Sequence, residues 1–387
     1  MSPDTPRASV PWGERLSDTA WRWATELRIV AFPWVVARIL TVAALVAAEV
    51  VIDELSSGPD PVQLRDGLLG WDADWYKGIA GDGYGGVGEV GLRFWPLFPL
   101  LGRGLSWVLA GNVALALLII ANVSAAVFMV LLRRLVLRET GDEALAMRAV
   151  WLSAIWPMAF VLVMGYAEAL FLALAVGFFL CIRSRRWLPA LALGILAGLT
   201  RPFAIFLVIP AAVEVWRVWK ESKARERLLG ALAVLSSGIG IGVYLLWVQI
   251  AFSDMFLPLT LQSDPTRQGS ARDPVSSLLD SAGQLVERDP VIDGLHALWG
   301  VFLIALLVIM FRRLPLSYGL YSAATLLLAL STSNLDSLER YAMGAFPFFI
   351  ATAMVTREQW AERTAVSIAS AALAIYALLA FTGIYTP

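Results

Sequence analysis

Four carboxylates, Asp72, Asp74, Asp82 and Glu89, fall among aromatics and glycines in residues 70–99, GWDADWYKGIAGDGYGGVGEVGLRFWPLFP. A carboxylate at an apolar rim has a raised proton affinity and is suited to act as a general base toward a hydroxyl. If a helix begins within WDADWYKGIA, then Trp71, Trp75 and Ile79 share one face at i, i+4 and i+8. Asp72 stands beside that stripe and Tyr76, while Asp74 points roughly the other way, toward Lys77. The two carboxylates therefore do different jobs. The structural alternative makes Asp72 an N-cap and Asp74 a solvated partner of Lys77. Gly81, Gly83, Gly85, Gly86, Gly88 and Gly91 supply backbone free to approach or cover a ligand. The stretch is not a phosphate-binding loop, since no Lys-Ser or Lys-Thr follows.

Cations are the second candidate chemistry. Arg201, in Thr200-Arg201-Pro202, and Arg38, near the middle of an apolar run, both sit at membrane depth. Such an arginine costs roughly 2.5–3.5 kcal/mol on insertion scales unless it meets a partner or water. A guanidinium matches phosphate oxygens bidentately, and broken helix ends add N–H donors, so a phosphate clamp is one reading. A carbonyl cap or a structural ion pair is the other. Arg340 starts a helix, where a cation is unfavourable without an anion. Glu339 or a ligand phosphate would serve. In the tight turn Gly165-Tyr166-Ala167-Glu168, Glu168 is suited to bind a sugar hydroxyl or to cap the next helix. Arg148 lies close enough to a basic face to snorkel.

The single Cys181 excludes an internal disulfide, and with His296 the only histidine there is no Cys/His metal cluster. Asp72-Ala-Asp74 matches a metal-binding DxD pair in spelling only. No cofactor is expected; a divalent metal is not favoured.

The elements that must position these residues are membrane helices. Of 387 residues 59% are hydrophobic and 16% charged, against about half and a quarter in soluble domains; the mean hydropathy is +0.71. The charges cluster between apolar runs of membrane length, which indicates an all-α polytopic chain in a single membrane domain over 1–387. The near-zero net charge gives no indication of nucleic acid. Residues 1–28 are polar and too long and acidic for a signal-peptide head, so a cytoplasmic segment is expected. Apolar runs follow at about 29–52, 112–132, 144–164, 167–182, 188–199, 203–215, 228–252, 295–311, 314–330, 341–355 and 364–384. Residues 94–110 are too interrupted by Pro96, Pro99 and Arg103 to span, and are expected to be interfacial or re-entrant.

Lys and Arg then place the basic connections on one, cytoplasmic, side if there are eleven passes. Those connections hold Arg133, Arg134 and Arg138; Arg183, Arg185 and Arg186; Arg217 to Arg227; and Arg312 with Arg313. The 53–110 region, a second large loop at 253–294, and 331–340 fall together on the extracytoplasmic face. That count requires splitting 188–215 at Thr200-Arg201-Pro202.

Several of these residues resemble a known family. Trp71-Asp72-Ala73-Asp74-Trp75-Tyr76, Ile79-Ala80, Gly83-Tyr84 and Phe94-Trp95-Pro96-Leu97-Phe98-Pro99 are similar to the first-loop signature of the GPI mannosyltransferase II (PIG-V) family and its bacterial relatives. Residues 157–168, Leu199-Thr-Arg-Pro202 and Arg340-Tyr341 fit its later landmarks. A composition rich in Ala, Leu, Arg and Gly points to a bacterial, actinobacterial, member.

The resemblance implies a GT-C membrane glycosyltransferase using a polyprenyl-phosphate sugar, mannose in the usual case, and an acceptor that is a glycolipid or another extracytoplasmic hydroxyl. It makes Asp72 the catalytic base, with Asp74 in reserve. The phosphate would fall to Arg201, Arg340 and Arg38, and the sugar and acceptor to Trp71, Trp75, Tyr76, Tyr84, Tyr166, Glu168 and Tyr341. The rival is a transporter or flippase with Arg38, Arg201 and Glu168 along its path. Against it, the two halves of the chain show no repeat, and transporters rarely carry a large acidic outer loop.

Overall fold

The structure, a computed structural model, describes residues 12–55, 59–264, 269–287, 291–333, 335 and 337–387. Among them there is no sheet, only an isolated antiparallel bridge between Ala271 and Thr332. Five helices are long and apolar enough to cross a membrane: Ala20–Glu54, Val113–Thr140, Ala224–Phe252, Leu295–Arg313 and Gln359–Phe381. The chain is an all-helical, multi-pass membrane protein.

The first helix, α1 (Trp12–Leu55), shows why its solvent is lipid. Phe32, Val35, Ile39, Val42, Val46 and Val50 recur every three or four residues and are exposed. Val30, Ala37, Thr41, Ala44 and Ala48 form the opposite, buried stripe. An apolar face turned outward along a helix is stable only against hydrocarbon. At 1.5 Å per residue the 35-residue span runs roughly 50 Å, beyond the ~30 Å hydrocarbon layer. Thus residues 12–28, expected as a polar segment, continue this helix, and residues 1–11 lie outside the described residues.

The 59–110 stretch is built mostly of short helices and 3-10 turns. It comprises α2 (Val62–Asp66), α3 (Asp72–Asp82), α4 (Tyr84–Val87), a 3-10 turn Glu89–Arg93 and α5 (Leu97–Ser106). Two of its glycines serve packing: a Cβ on Gly78 or Gly91 would run into Val87. Next come α6 (Val113–Thr140), α7 (Glu143–Ala154) and α8 (Glu168–Arg183). The expected continuous run 144–164 breaks at Pro157 into α7 and a wholly buried 3-10 turn, Ala159–Leu162, because proline cannot sit within a helix without losing a hydrogen bond. α8 is apolar all round and buried nearly throughout, the central post of the bundle.

The split at 200–202 is present: α9 (Trp187–Gly198), a 3-10 turn Pro202–Leu207, then α10 (Val208–Val218). α9 packs backbone to backbone on α11 (Ala224–Phe252), since a Cβ on Gly198 or Gly240 would run into the opposite main chain. The expected loop 253–294 instead holds α12 (Leu257–Gln262), α13 (Pro274–Glu287) and the start of α14 (Val291–Arg313), with 265–268 and 288–290 outside the described residues. After α15 (Leu316–Leu330), the expected run 341–355 divides into α16 (Leu338–Met343) and α17 (Pro347–Val355), with Pro347 opening the second piece. α18 (Gln359–Phe381) completes the bundle. Asn334 and Asp336, expected at the helix start, lie outside the described residues. Several of the eleven expected passes are thus short or broken, among them α7, α9, α10, α15 and α17.

α8 separates two charged regions. Its last residue, Arg183, pairs with Glu139 at 2.7 Å and with buried Glu214 at 2.9 Å. Its first residue, Glu168, lies roughly 24 Å away along 16 residues. Here the three patches expected to share one face do meet.

Candidate active site

Asp72 owes its position to its neighbours. Trp71 takes a left-handed backbone (φ 57°), uncommon for a bulky residue, and turns the chain into α3. The indole Nε1 of Trp71 donates to the Ala380 carbonyl at 3.0 Å, and the Asp72 amide donates to the Tyr166 hydroxyl at 3.2 Å. Gly165 packs against Ala73 and donates its amide to the Leu68 carbonyl at 3.0 Å. With its amide so held, the Asp72 carboxylate makes no cap bond; Oδ2 accepts from Arg340 Nη1 at 2.5 Å.

This pair is one link of a chain of alternating charge. Arg340 also lies 3.6 Å from Glu168, and Glu168 is ion-paired with Arg201. The order is Asp72, Arg340, Glu168, Arg201, drawn from α3, α16, α8 and the break after α9. The Arg340 side chain is 6% exposed and that of Asp72 33%, so the acid is the member that reaches the open space. The anion that accompanies Arg340 is therefore Asp72 with Glu168. Glu339, one of the two anions offered for that role, faces elsewhere. Buried charges persist only when paired and hydrogen-bonded, and Arg340 Nε is nevertheless buried without a partner. Such an unmet donor costs about 1–3 kcal/mol, a cost more often met at functional sites.

The four residues line a cavity of about 440 Å³, within the range of small-molecule sites. Tyr76, Phe94 and Trp95 form one wall. Phe203 and Tyr341, stacked at 5.2 Å and 16°, form another. Ile205, Ile241, Leu245, Leu259 and Leu328 add apolar lining. Arg93 joins the polar lining, with Nη1 donating to Gln262 at 3.3 Å. Among the described residues, the lining carries three arginines and two carboxylates.

Of the residues expected at the site, Asp72, Tyr76, Glu168, Arg201, Arg340 and Tyr341 line the cavity, and Tyr166 stands behind Asp72. Asp74 is not brought there. It pairs with Lys77 at 2.8 Å in the open, and that hydrogen bond raises the proton affinity of Lys77. Arg38 is also elsewhere: its Nε donates to Asn122 Oδ1 at 2.9 Å, and its guanidinium lies 4.2 Å from the Trp34 ring centroid. It ties α1 to α6. Neither Trp71 nor Trp75 lines the cavity: Trp75 supports the wall by stacking on Phe94 at 5.7 Å, and Trp71 is bonded to the Ala380 carbonyl. Tyr84 is spent on the Phe94 carbonyl at 2.6 Å. Sequence reasoning missed Arg93, Phe203 and Gln262. Arg93 and Phe203 each adjoin a motif already noted, while nothing around Gln262 distinguishes it from an ordinary helix residue. Among the described residues no three His, Cys, Asp or Glu side chains come together.

The fold and site define a class: a multi-pass helical membrane protein enclosing a charge-paired, aromatic-walled cavity. No family model and no curated protein matches the chain. Among solved structures it is similar to the Archaeoglobus fulgidus oligosaccharyltransferase crystallised with zinc and sulfate, at 13% identity and a TM-score of 0.39 over 76% of this chain and 44% of that one. The chain thus spans less than half the length of that protein.

Proposed function

We propose that the protein is a GT-C type membrane glycosyltransferase that moves a sugar, mannose, from a polyprenyl-phosphate donor to an acceptor hydroxyl on a glycolipid or other extracytoplasmic molecule. The observation that carries this is the convergence of Asp72, Arg340, Glu168 and Arg201 on one cavity whose lining is otherwise largely aromatic and aliphatic. The PIG-V-like residues 71–76, 94–99 and 199–202 support it.

In this reading Asp72 accepts the proton of the acceptor hydroxyl as its oxygen attacks the anomeric carbon. The bond from that carbon to the phosphate oxygen breaks, inverting the configuration. The departing phosphate gains charge, which Arg201 and Arg340 stabilise. A phosphate leaving group needs no general acid, so one base suffices, unlike glycoside hydrolysis. The arginines supply from the chain the positive charge that other transferases take from a metal. The charge bias of the basic connections supports an extracytoplasmic site with the start of α1 inside.

Incubating the purified protein with labelled polyprenyl-phosphate mannose and extracted membrane lipids tests the proposal. The expected result is a labelled lipid heavier by one hexose. Label that crosses a vesicle bilayer without transfer would overturn it in favour of a flippase.

A further inference from the structure

Arg340 sits on α16, a helix of only six residues. Helix formation over so few residues is unfavourable in isolation, so the direction of Arg340 is set by what holds its neighbours. Successive helical residues point about 100° apart. Glu339 accordingly turns away from the cavity and is fully buried. There Oε1 meets His296 Nδ1 of α14 at 2.7 Å, and Oε2 accepts from the Tyr385 hydroxyl at 3.0 Å. Tyr385 belongs to the segment after α18, where the chain reverses at Gly383 (φ 77°). The same end of α18 touches the other half of the charge pair, because the Ala380 carbonyl accepts from Trp71, the residue before Asp72.

We propose that the end of α18 and the residues after it form a clamp that positions the Asp72–Arg340 pair. Tyr385 and His296 act through Glu339, and Ala380 acts through Trp71. None of Glu339, His296 and Tyr385 lines the cavity. A packing role alone would be met by apolar side chains of similar volume, which avoid the desolvation of a buried carboxylate. A carboxylate held at both oxygens instead fixes one register of α16. Residues 309 positions apart for Trp71 and Ala380, and 46 apart for Glu339 and Tyr385, are thereby tied to one helix end.

Tyr385→Phe is the test, since it keeps the ring and its edge contact with Tyr376 at 4.9 Å and removes only the hydroxyl. In the full-length protein, amide hydrogen exchange at 338–343 is expected to speed up while exchange in 168–183 is unchanged. The kinetic arm rests on the transferase reading: kcat falls about tenfold, the loss expected for one hydrogen bond to a charged group, with donor KM within about twofold. Glu339→Gln, whose amide oxygen still accepts, retains more kcat than Glu339→Ala. Unchanged exchange at 338–343, acceleration that extends through 168–183, or faster exchange with unaltered kcat would each overturn the clamp. If the wild-type protein transfers no sugar, the transferase reading falls and the exchange measurement alone decides the clamp.

Discussion

At the scale of single residues, Asp72 and Asp74 lie two positions apart and have opposite fates. Asp72 meets a buried arginine at the cavity wall, and Asp74 meets a lysine in the open. Asp72→Asn should lower kcat by about 10²- to 10⁴-fold, the usual worth of a placed base, and leave donor KM within a few-fold in steady-state assays. Asp74→Ala should stay within about twofold of wild-type activity and change stability by no more than about 1 kcal/mol, as for exposed ion pairs. Comparable losses in the two variants would refute the distinction. Arg201→Ala is a harsher change because it leaves Glu168, which is 5% exposed, with only the longer 3.6 Å contact to Arg340. Removing one partner of a buried pair costs about 3–5 kcal/mol. Arg201→Met combined with Glu168→Gln should recover much of the thermal stability without recovering donor affinity.

At the scale of elements, the site depends on how closely α9 approaches α11. Gly198 and Gly240 allow main chain to touch main chain, and Arg201 follows three residues after Gly198. Gly198→Val forces the helices apart. Overpacking of this kind costs about 1–3 kcal/mol, and the displaced break should raise donor KM together with the loss in melting temperature. A variant that loses stability with unchanged KM would show that the contact supports the bundle alone. The broken stretches at 155–167, 199–207 and 344–346 share a reason. Each carries irregular backbone at a place enclosed by other helices or lining the cavity, where such backbone is tolerated; the Gly344 carbonyl, for instance, accepts from the Tyr321 hydroxyl at 3.0 Å.

At the scale of the molecule, the charge pattern divides the bundle into a site end and a basic end separated by the length of α8. In a Cys181→Ser background, a membrane-impermeant maleimide should label Gly85→Cys in intact cells, and Lys220→Cys only after permeabilisation. Both positions are exposed, and a side chain at Gly85 meets no neighbour. The reverse pattern would put the cavity on the cytoplasmic side and remove the extracytoplasmic acceptor.

What the sequence determined by itself was local. Hydropathy marked the membrane helices, because the cost of placing a residue in hydrocarbon depends on that residue and its near neighbours. Pro202 after Arg201 marked the break, and the period of Trp71, Trp75 and Ile79 separated Asp72 from Asp74. The tertiary structure decided which charges meet. Arg38 and Arg201 carry the same insertion cost and look alike in sequence. One finds Asn122 and the other Glu168, because partner choice is a matter of distance through space. The Asp72–Arg340 contact joins residues 268 positions apart, and no local pattern in either segment encodes the other. Glu339 is one of two anions the sequence offers to its neighbour Arg340, but successive helical positions face different ways, and its carboxylate meets His296 and Tyr385 instead.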